Sequence, residues 1–197
     1  MNIILVGFMG TGKSSVGKLV AKKLNREFVD SDHEIERRAN CDIPTIFSAA
    51  GEAEFRRIER EVIRYLSARE NLVIAPGGGA VLEPENLADL SRSGVVICLR
   101  AKPETILQRV GRDSNRPLLR GPDRLERIRE LLAKRDPVYD TIPLQLPTDG
   151  LNTNQVADRV IGLFEAASES TDLPRTGICR GAHAPRVRRL APPPAAP

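Results

Sequence analysis

"NIILVGFMGTGKSS", Asn2 to Ser15, joins an apolar run to a glycine-rich loop. "NIILV" is a short apolar run rich in β-branched residues, which reads as a strand buried on both faces. Gly7-Phe8-Met9-Gly10-Thr11-Gly12-Lys13-Ser14 then satisfies G-x-x-x-x-G-K-[ST] between that strand and a helical stretch at 13 to 25. Glycines turn backbone N–H groups toward phosphate oxygens, and the helix N-terminus adds a favourable dipole. The alternative, a glycine-rich turn entering a helix, leaves the Lys-Ser pair without a purpose.

Outward from this loop, "LVIA" (72 to 75) and "VVICL" (95 to 99) repeat the buried-strand pattern. Helical stretches at 13 to 25, 52 to 69 and 103 to 111 lie between and after them, and shorter strands at 27 to 30 and 143 to 147 complete five. Strands alternating with helices predict an α/β fold, a five-stranded parallel sheet sandwiched by helices. Residues 112 to 124, "RDSNRPLLRGPDR", show no period and read as a basic loop. A helix at about 153 to 167 closes the domain. The Arg- and Pro-rich remainder, 168 to 197, has too few large apolar residues to offset its ordering entropy and is expected to be a disordered tail.

The chain has 197 residues, 41% of them hydrophobic, enough for one sizeable core. Its net charge is +4, and the tail's five arginines against Glu169 and Asp172 account for three of those charges. A near-neutral body without Trp gives no footing for a nucleic-acid surface. Cys41, Cys98 and Cys179 have no paired spacing, which points away from disulfides and zinc. No apolar run approaches the roughly 18 residues of a membrane span, and the first strand begins by Asn2, so a soluble, cytoplasmic protein is expected.

A phosphate loop alone does not define an activity. The strands at 72 to 75 and 95 to 99 end in Pro76 and Arg100, so neither supplies a metal carboxylate. The acids follow the short strand, as Asp30-Ser31-Asp32. If that strand continues, alternation puts both carboxylates on one side, one for a metal and one for an acceptor hydroxyl. Ser31 or Asp32 capping a helix is the other reading. On the helix at 52 to 69, Phe55, Ile58, Val62, Tyr65 and Leu66 form the apolar stripe, with Arg56 at its margin and Glu59 three residues on. On a helix at about 124 to 136, Leu125, Ile128, Leu131 and Leu132 define the buried side and Arg135 continues it. Arg135 therefore needs an anion, from a ligand or from its own helix's last carbonyls before Pro137. Gly77-Gly78-Gly79 ends a strand, where side-chain-free backbone permits close approach of a ligand.

Together, "GFMGTGKSSVG", "DSD" at 30 to 32, "FRRIE" at 55 to 59, "GGGAV" at 77 to 81, "RPLLRGPDR" at 116 to 124 and "KRDPVY" at 134 to 139 resemble the shikimate kinase family over residues 1 to about 167. The resemblance implies a P-loop fold of the nucleoside monophosphate kinase type with a mobile lid at 112 to 124, acting as a monomer. It implies transfer of the γ-phosphoryl of ATP to the 3-hydroxyl of shikimate. Gly10, Thr11, Gly12, Lys13, Ser14, Ser15, Arg109 and Arg116 would then hold ATP, with Ser14 on Mg²⁺ and Asp30 in its outer sphere. Asp32, Arg56, Gly78, Gly79 and Arg135 would bind shikimate, and Asp32, Lys13 and Arg116 would be catalytic. The segment 148 to 154, "TDGLNTN", carries no assignable pattern. A kinase for gluconate or a nucleotide would not need both Arg56 and Arg135. A guanine-reading nucleotide switch would carry N-K-x-D after a late strand, and none is present.

Overall fold

A computed structural model describes residues 1–110 and 123–171. The five strands are β1 (Asn2–Gly7), β2 (Glu27–Asp30), β3 (Leu72–Ala75), β4 (Gly94–Arg100) and β5 (Leu144–Pro147). They form one sheet in the order β2-β3-β1-β4-β5, parallel throughout. The helices are α1 (Lys13–Leu24), α2 (Ser31–Ala39), α3 (Ile43–Ser67), α4 (Pro84–Ser93), α5 (Pro103–Val110), α6 (Arg124–Tyr139) and α7 (Thr153–Thr171).

Side chains alternate across β1 and divide the core in two. Ile4, Val6 and Phe8 pack with Ile35, Val62, Leu90, Ile106 and Ile128 from α2 to α6. Ile3 and Leu5 pack with Val16, Val20, Val156 and Val160 from α1 and α7. Burial on both faces explains why β1, β3 and β4 are legible as unbroken apolar runs. Cys98 is fully enclosed, and burial pushes its thiol up to about 11, so it is a small core hydrophobe.

Several elements differ from expectation. The helix expected at 52 to 69 begins earlier, at Ile43, where Asp42 caps it and Pro44 occupies the first turn. Its path kinks at Gly51, whose φ of 79° and ψ of 178° are not helical. Tyr65 is exposed rather than part of the apolar stripe, and Ile63 is buried. Arg38 stacks on the Tyr65 ring at 4.3 Å, which accounts for an aromatic at the surface. α6 passes through Pro137 to Tyr139 instead of ending at 136, and α7 runs to Thr171, four residues past the expected boundary. The lid expected at 112 to 124 falls outside the described residues except for Asp123 and Arg124. Arg116, Cys179 and the tail beyond residue 171 also lie outside them.

α1 lies close to β2 because Gly17 faces Phe28. A Cβ at Gly17 would sit 2.9 Å from Phe28 Cδ2 and closer still to Cε2. Alanine in a helix interior ordinarily gains about 0.5–1 kcal/mol over glycine, while overpacking costs about 1–3 kcal/mol. Gly17→Ala should therefore destabilise the protein by about 1–2 kcal/mol, read by urea unfolding. An unchanged or raised midpoint would show that the Phe28 ring yields freely.

Candidate active site

Parallel strands place their carboxyl ends along one edge, and the candidate residues gather there. Gly7 ends β1, and Gly10 and Gly12 take φ values of 78° and 101°, which only glycine adopts without strain. The turn delivers Gly12 to the N-terminus of α1, where no side chain caps the first N–H groups. Uncapped N–H groups at a helix start are what anion binding requires. Lys13 Nζ donates to the carbonyls of Gly7 at 2.9 Å and Phe8 at 3.2 Å, across the mouth of its own loop. Thr11 is buried and donates to the Phe8 carbonyl, which stiffens the loop from behind.

Asp30 ends β2 and is itself the N-cap of α2: its Oδ1 accepts the Asp32 N–H at 3.1 Å. The strand does not continue through Asp32, and neither Ser31 nor Asp32 is the cap. The cause is this side-chain bond, which starts the helix one residue earlier. Asp30 Oδ2 accepts from Ser14 Oγ at 2.7 Å, so the hydroxyl and carboxylate expected around a metal are in contact. Two oxygen donors, one anionic, suit Mg²⁺, which keeps several waters and takes one or two carboxylates beside substrate phosphates. The described residues hold no cluster of three or more His, Cys, Asp or Glu side chains able to cage a metal alone.

The three glycines after β3 each face one candidate side chain. A Cβ on Gly77 would overlap Asp32 Oδ1. One on Gly78 would lie 3.4 Å from Arg135 Nη1, and one on Gly79 would lie 3.4 Å from both terminal nitrogens of Arg56. Ser31, fully buried, accepts the Gly77 N–H at 2.8 Å. Arg56 donates to the buried carboxylate of Glu59 at 2.6 Å, as its spacing predicts, and stacks on Phe55. Burial pushes the Glu59 carboxyl above its ordinary range, opposed by this bond. Arg135 lies over the Phe8 ring at 5.2 Å and donates to the Gly78 carbonyl at 3.2 Å. It does not close its own helix's carbonyls, so the capping alternative is replaced by a contact to the glycine loop. A Cβ on Gly78 would also lie 3.7 Å from Met9 N, so the glycine loop adjoins the phosphate loop.

Arg109, on the far side of the loop, donates to Thr148 Oγ1 and to the Thr148 carbonyl, both at 2.9 Å. Thr148 in turn bonds the Arg100 carbonyl at the end of β4. With Asp149 Oδ1 accepting the Lys102 N–H, these side-chain and backbone bonds tie the segment at 148 to 154 to α5 and the end of β4, across sequence separations that no local pattern encodes. Phe47, stacked on Phe55 at 4.7 Å and partly exposed, is likewise invisible in sequence, because the kink at Gly51 brings it there.

A phosphate loop on the central strand, with an acid and two arginines converging beside it, defines a P-loop phosphotransferase of the small-molecule kinase class. The shikimate kinase family model matches residues 9–164. A shikimate kinase of Thermodesulfovibrio yellowstonii is 48% identical over 85% of this chain and 96% of its own length, and one of Burkholderia lata is 51% identical over 84% and 91%. The structure of Acinetobacter baumannii shikimate kinase in complex with shikimate superposes with a TM-score of 0.79 at 41% identity, covering 87% of this chain and 94% of that one. The chain belongs to the shikimate kinase family. A gluconokinase from Sinorhizobium meliloti, at 14% identity and a TM-score of 0.58, shares the fold alone.

Asp32 is the group whose ionisation the site controls most strongly. Burial, then the Asp30 charge, pushes its carboxyl up to about 6 from an ordinary 3.8, while Lys13 opposes the rise. A native carboxyl that holds its proton longer than the unfolded chain loses stability as pH rises through the window from about 4 to about 6, here by roughly 2–3 kcal/mol. Asp32→Asn should accordingly raise the Tm at pH 8, and the gain should vanish by about pH 4. A gain of equal size at both pH values would contradict this assignment.

Proposed function

We propose that this chain transfers the γ-phosphoryl of ATP to the 3-hydroxyl of shikimate, within the pathway that makes chorismate. The observation that carries the reading is the triple-glycine end of β3. Its consecutive residues face an acid, Asp32, and two cations, Arg135 and Arg56, beside the phosphate loop. A hydroxylated ring acid needs that set: a carboxylate acceptor for its hydroxyls and paired guanidiniums for its carboxylate.

In this reading the N–H groups from Gly10 to Ser15 cradle the nucleotide's phosphates, and Arg109 with Thr148 borders its base. Lys13 exchanges the carbonyls of its loop for phosphate oxygens. Ser14, with Asp30 behind it, would hold Mg²⁺, which when bound with ATP supplies offsetting positive charge at the phosphate oxygens. Asp32 orients the acceptor hydroxyl and accepts its proton, a role that suits a carboxyl with a pKa of about 6 near neutral pH. Arg116, outside the described residues, meets the transferring phosphoryl on the strength of the family resemblance. The protein contributes positioning and electrostatics to an in-line displacement and forms no covalent bond to the phosphoryl group. No helix among the described residues is long and apolar enough to cross a membrane. A monomer working in the cytoplasm is part of the same proposed reading.

A coupled ADP-release assay tests the assignment. ADP should form with ATP, Mg²⁺ and shikimate, and only at background without shikimate or with gluconate in its place. Lys13→Ala should abolish the signal with little change in Tm, because its ammonium serves the loop rather than the core. ADP release independent of shikimate, or wild-type turnover in Lys13→Ala, would refute the reading.

A further inference from the structure

Tyr139 belongs to the "KRDPVY" stretch, yet no role follows for it from the chemistry above. Among the described residues it is the bulkiest fully buried one, and its hydroxyl donates to the Gly78 carbonyl at 2.8 Å. That same carbonyl accepts from Arg135 Nη1 at 3.2 Å. The two donors are four residues apart on α6, hence on one face, because the helix continues through Pro137. A carbonyl oxygen has two acceptor sites, and here both are in use. If the guanidinium turns toward a ligand carboxylate and its Nη1 leaves this carbonyl, the Tyr139 hydroxyl is the donor that stays. Without a second donor, the move would leave a half-buried acceptor unpaired.

We propose that Tyr139 is a positioning residue whose hydroxyl keeps the Gly78 carbonyl satisfied, so that Arg135 is free to engage the acceptor's carboxylate. This rests on the reading of the cleft between Arg56 and Arg135 as the acceptor site. The surroundings fix the ring for that task. The Arg100 guanidinium lies 5.8 Å from its centroid, and Gln145 Nε2 donates to the Tyr139 carbonyl at 2.7 Å. Arg100 is in turn paired with Asp136 at 2.9 Å, which joins α6 to the end of β4. Burial pushes the phenol up to about 12, so the hydroxyl remains a neutral donor across the working pH range. At the other end of the loop, Ser31 holds the Gly77 N–H and leaves Gly78 as the point where the two α6 side chains act.

The test is steady-state kinetics of Tyr139→Phe, Arg135→Ala and the double variant, with shikimate and ATP varied separately and Tm measured on each. Tyr139→Phe keeps the ring and removes one net hydrogen bond, so KM for shikimate should rise about 2- to 12-fold. KM for ATP and kcat should stay within about twofold. In the Arg135→Ala background the same change should add little to KM for shikimate, because the side chain it serves is gone. If Arg135→Ala raises KM for shikimate and Tyr139→Phe does not, the phenol only fills space and the proposal is overturned. It is also overturned if both KM values rise together with a fall in Tm, or if Tyr139→Phe does not fold, since the role is then structural. If Arg135→Ala itself leaves KM for shikimate unchanged, the acceptor-site reading fails and takes this proposal with it.

Discussion

One carboxylate joins the two halves of the site. Asp30 accepts Ser14 Oγ on one oxygen and the Asp32 N–H on the other. The first bond ties α1, and so the phosphate loop, to the end of β2. The second starts α2 and sets where Asp32 stands. Because Asp30 is negative and close, it also raises the Asp32 pKa, second only to burial. In the proposed site, a single side chain thereby couples the geometry of the nucleotide end to the protonation of the acceptor end. The bond is possible because α1 follows β1 and β2 lies one strand away, with β3 between them.

The acceptor end is built by subtraction. Gly77, Gly78 and Gly79 contribute no side chains, and groups from α2, α3 and α6 occupy the space they leave. Those helices come from three separate parts of the chain and meet only because the parallel sheet returns each strand to the same edge. The cost is carried by the surroundings: Glu59 is buried to hold Arg56, and Tyr139 is buried against the glycine loop. Such buried polar contacts trade stability for placement, as active sites commonly do.

The sheet was legible because β1, β3 and β4 are buried on both faces, which leaves unbroken apolar runs. The phosphate loop, the marginal position of Arg56 and the inward placement of Arg135 follow from local spacing alone. What escaped sequence reading was set by distant parts of the chain. α2 begins at Ser31 because the Asp30 side chain caps it through a bond to the backbone, whereas alternation suggested a continuing strand. Tyr65 has the right period for the core, yet it lies at the surface under the Arg38 guanidinium. Tyr139 was hidden behind Pro137, which reads as a helix stop, although α6 passes through it. Thr148 acts through its carbonyl and hydroxyl on Arg109, a contact across 39 residues that no local pattern encodes.

In the proposed site, Arg135 and Arg56 read the acceptor's charge in a partly desolvated cleft. The most direct measurement compares kcat/KM for shikimate and for its neutral carboxamide, in the unaltered enzyme and in Arg135→Ala. Truncating one partner of a buried charge pair costs about 2–5 kcal/mol. The carboxamide should therefore lower kcat/KM by at least roughly thirtyfold in the unaltered enzyme, at 1.4 kcal/mol per tenfold. Arg135→Ala should cost as much with shikimate and far less with the carboxamide, since the charge it served is absent. Two losses that simply add would show that Arg135 holds the Gly78 carbonyl and nothing more.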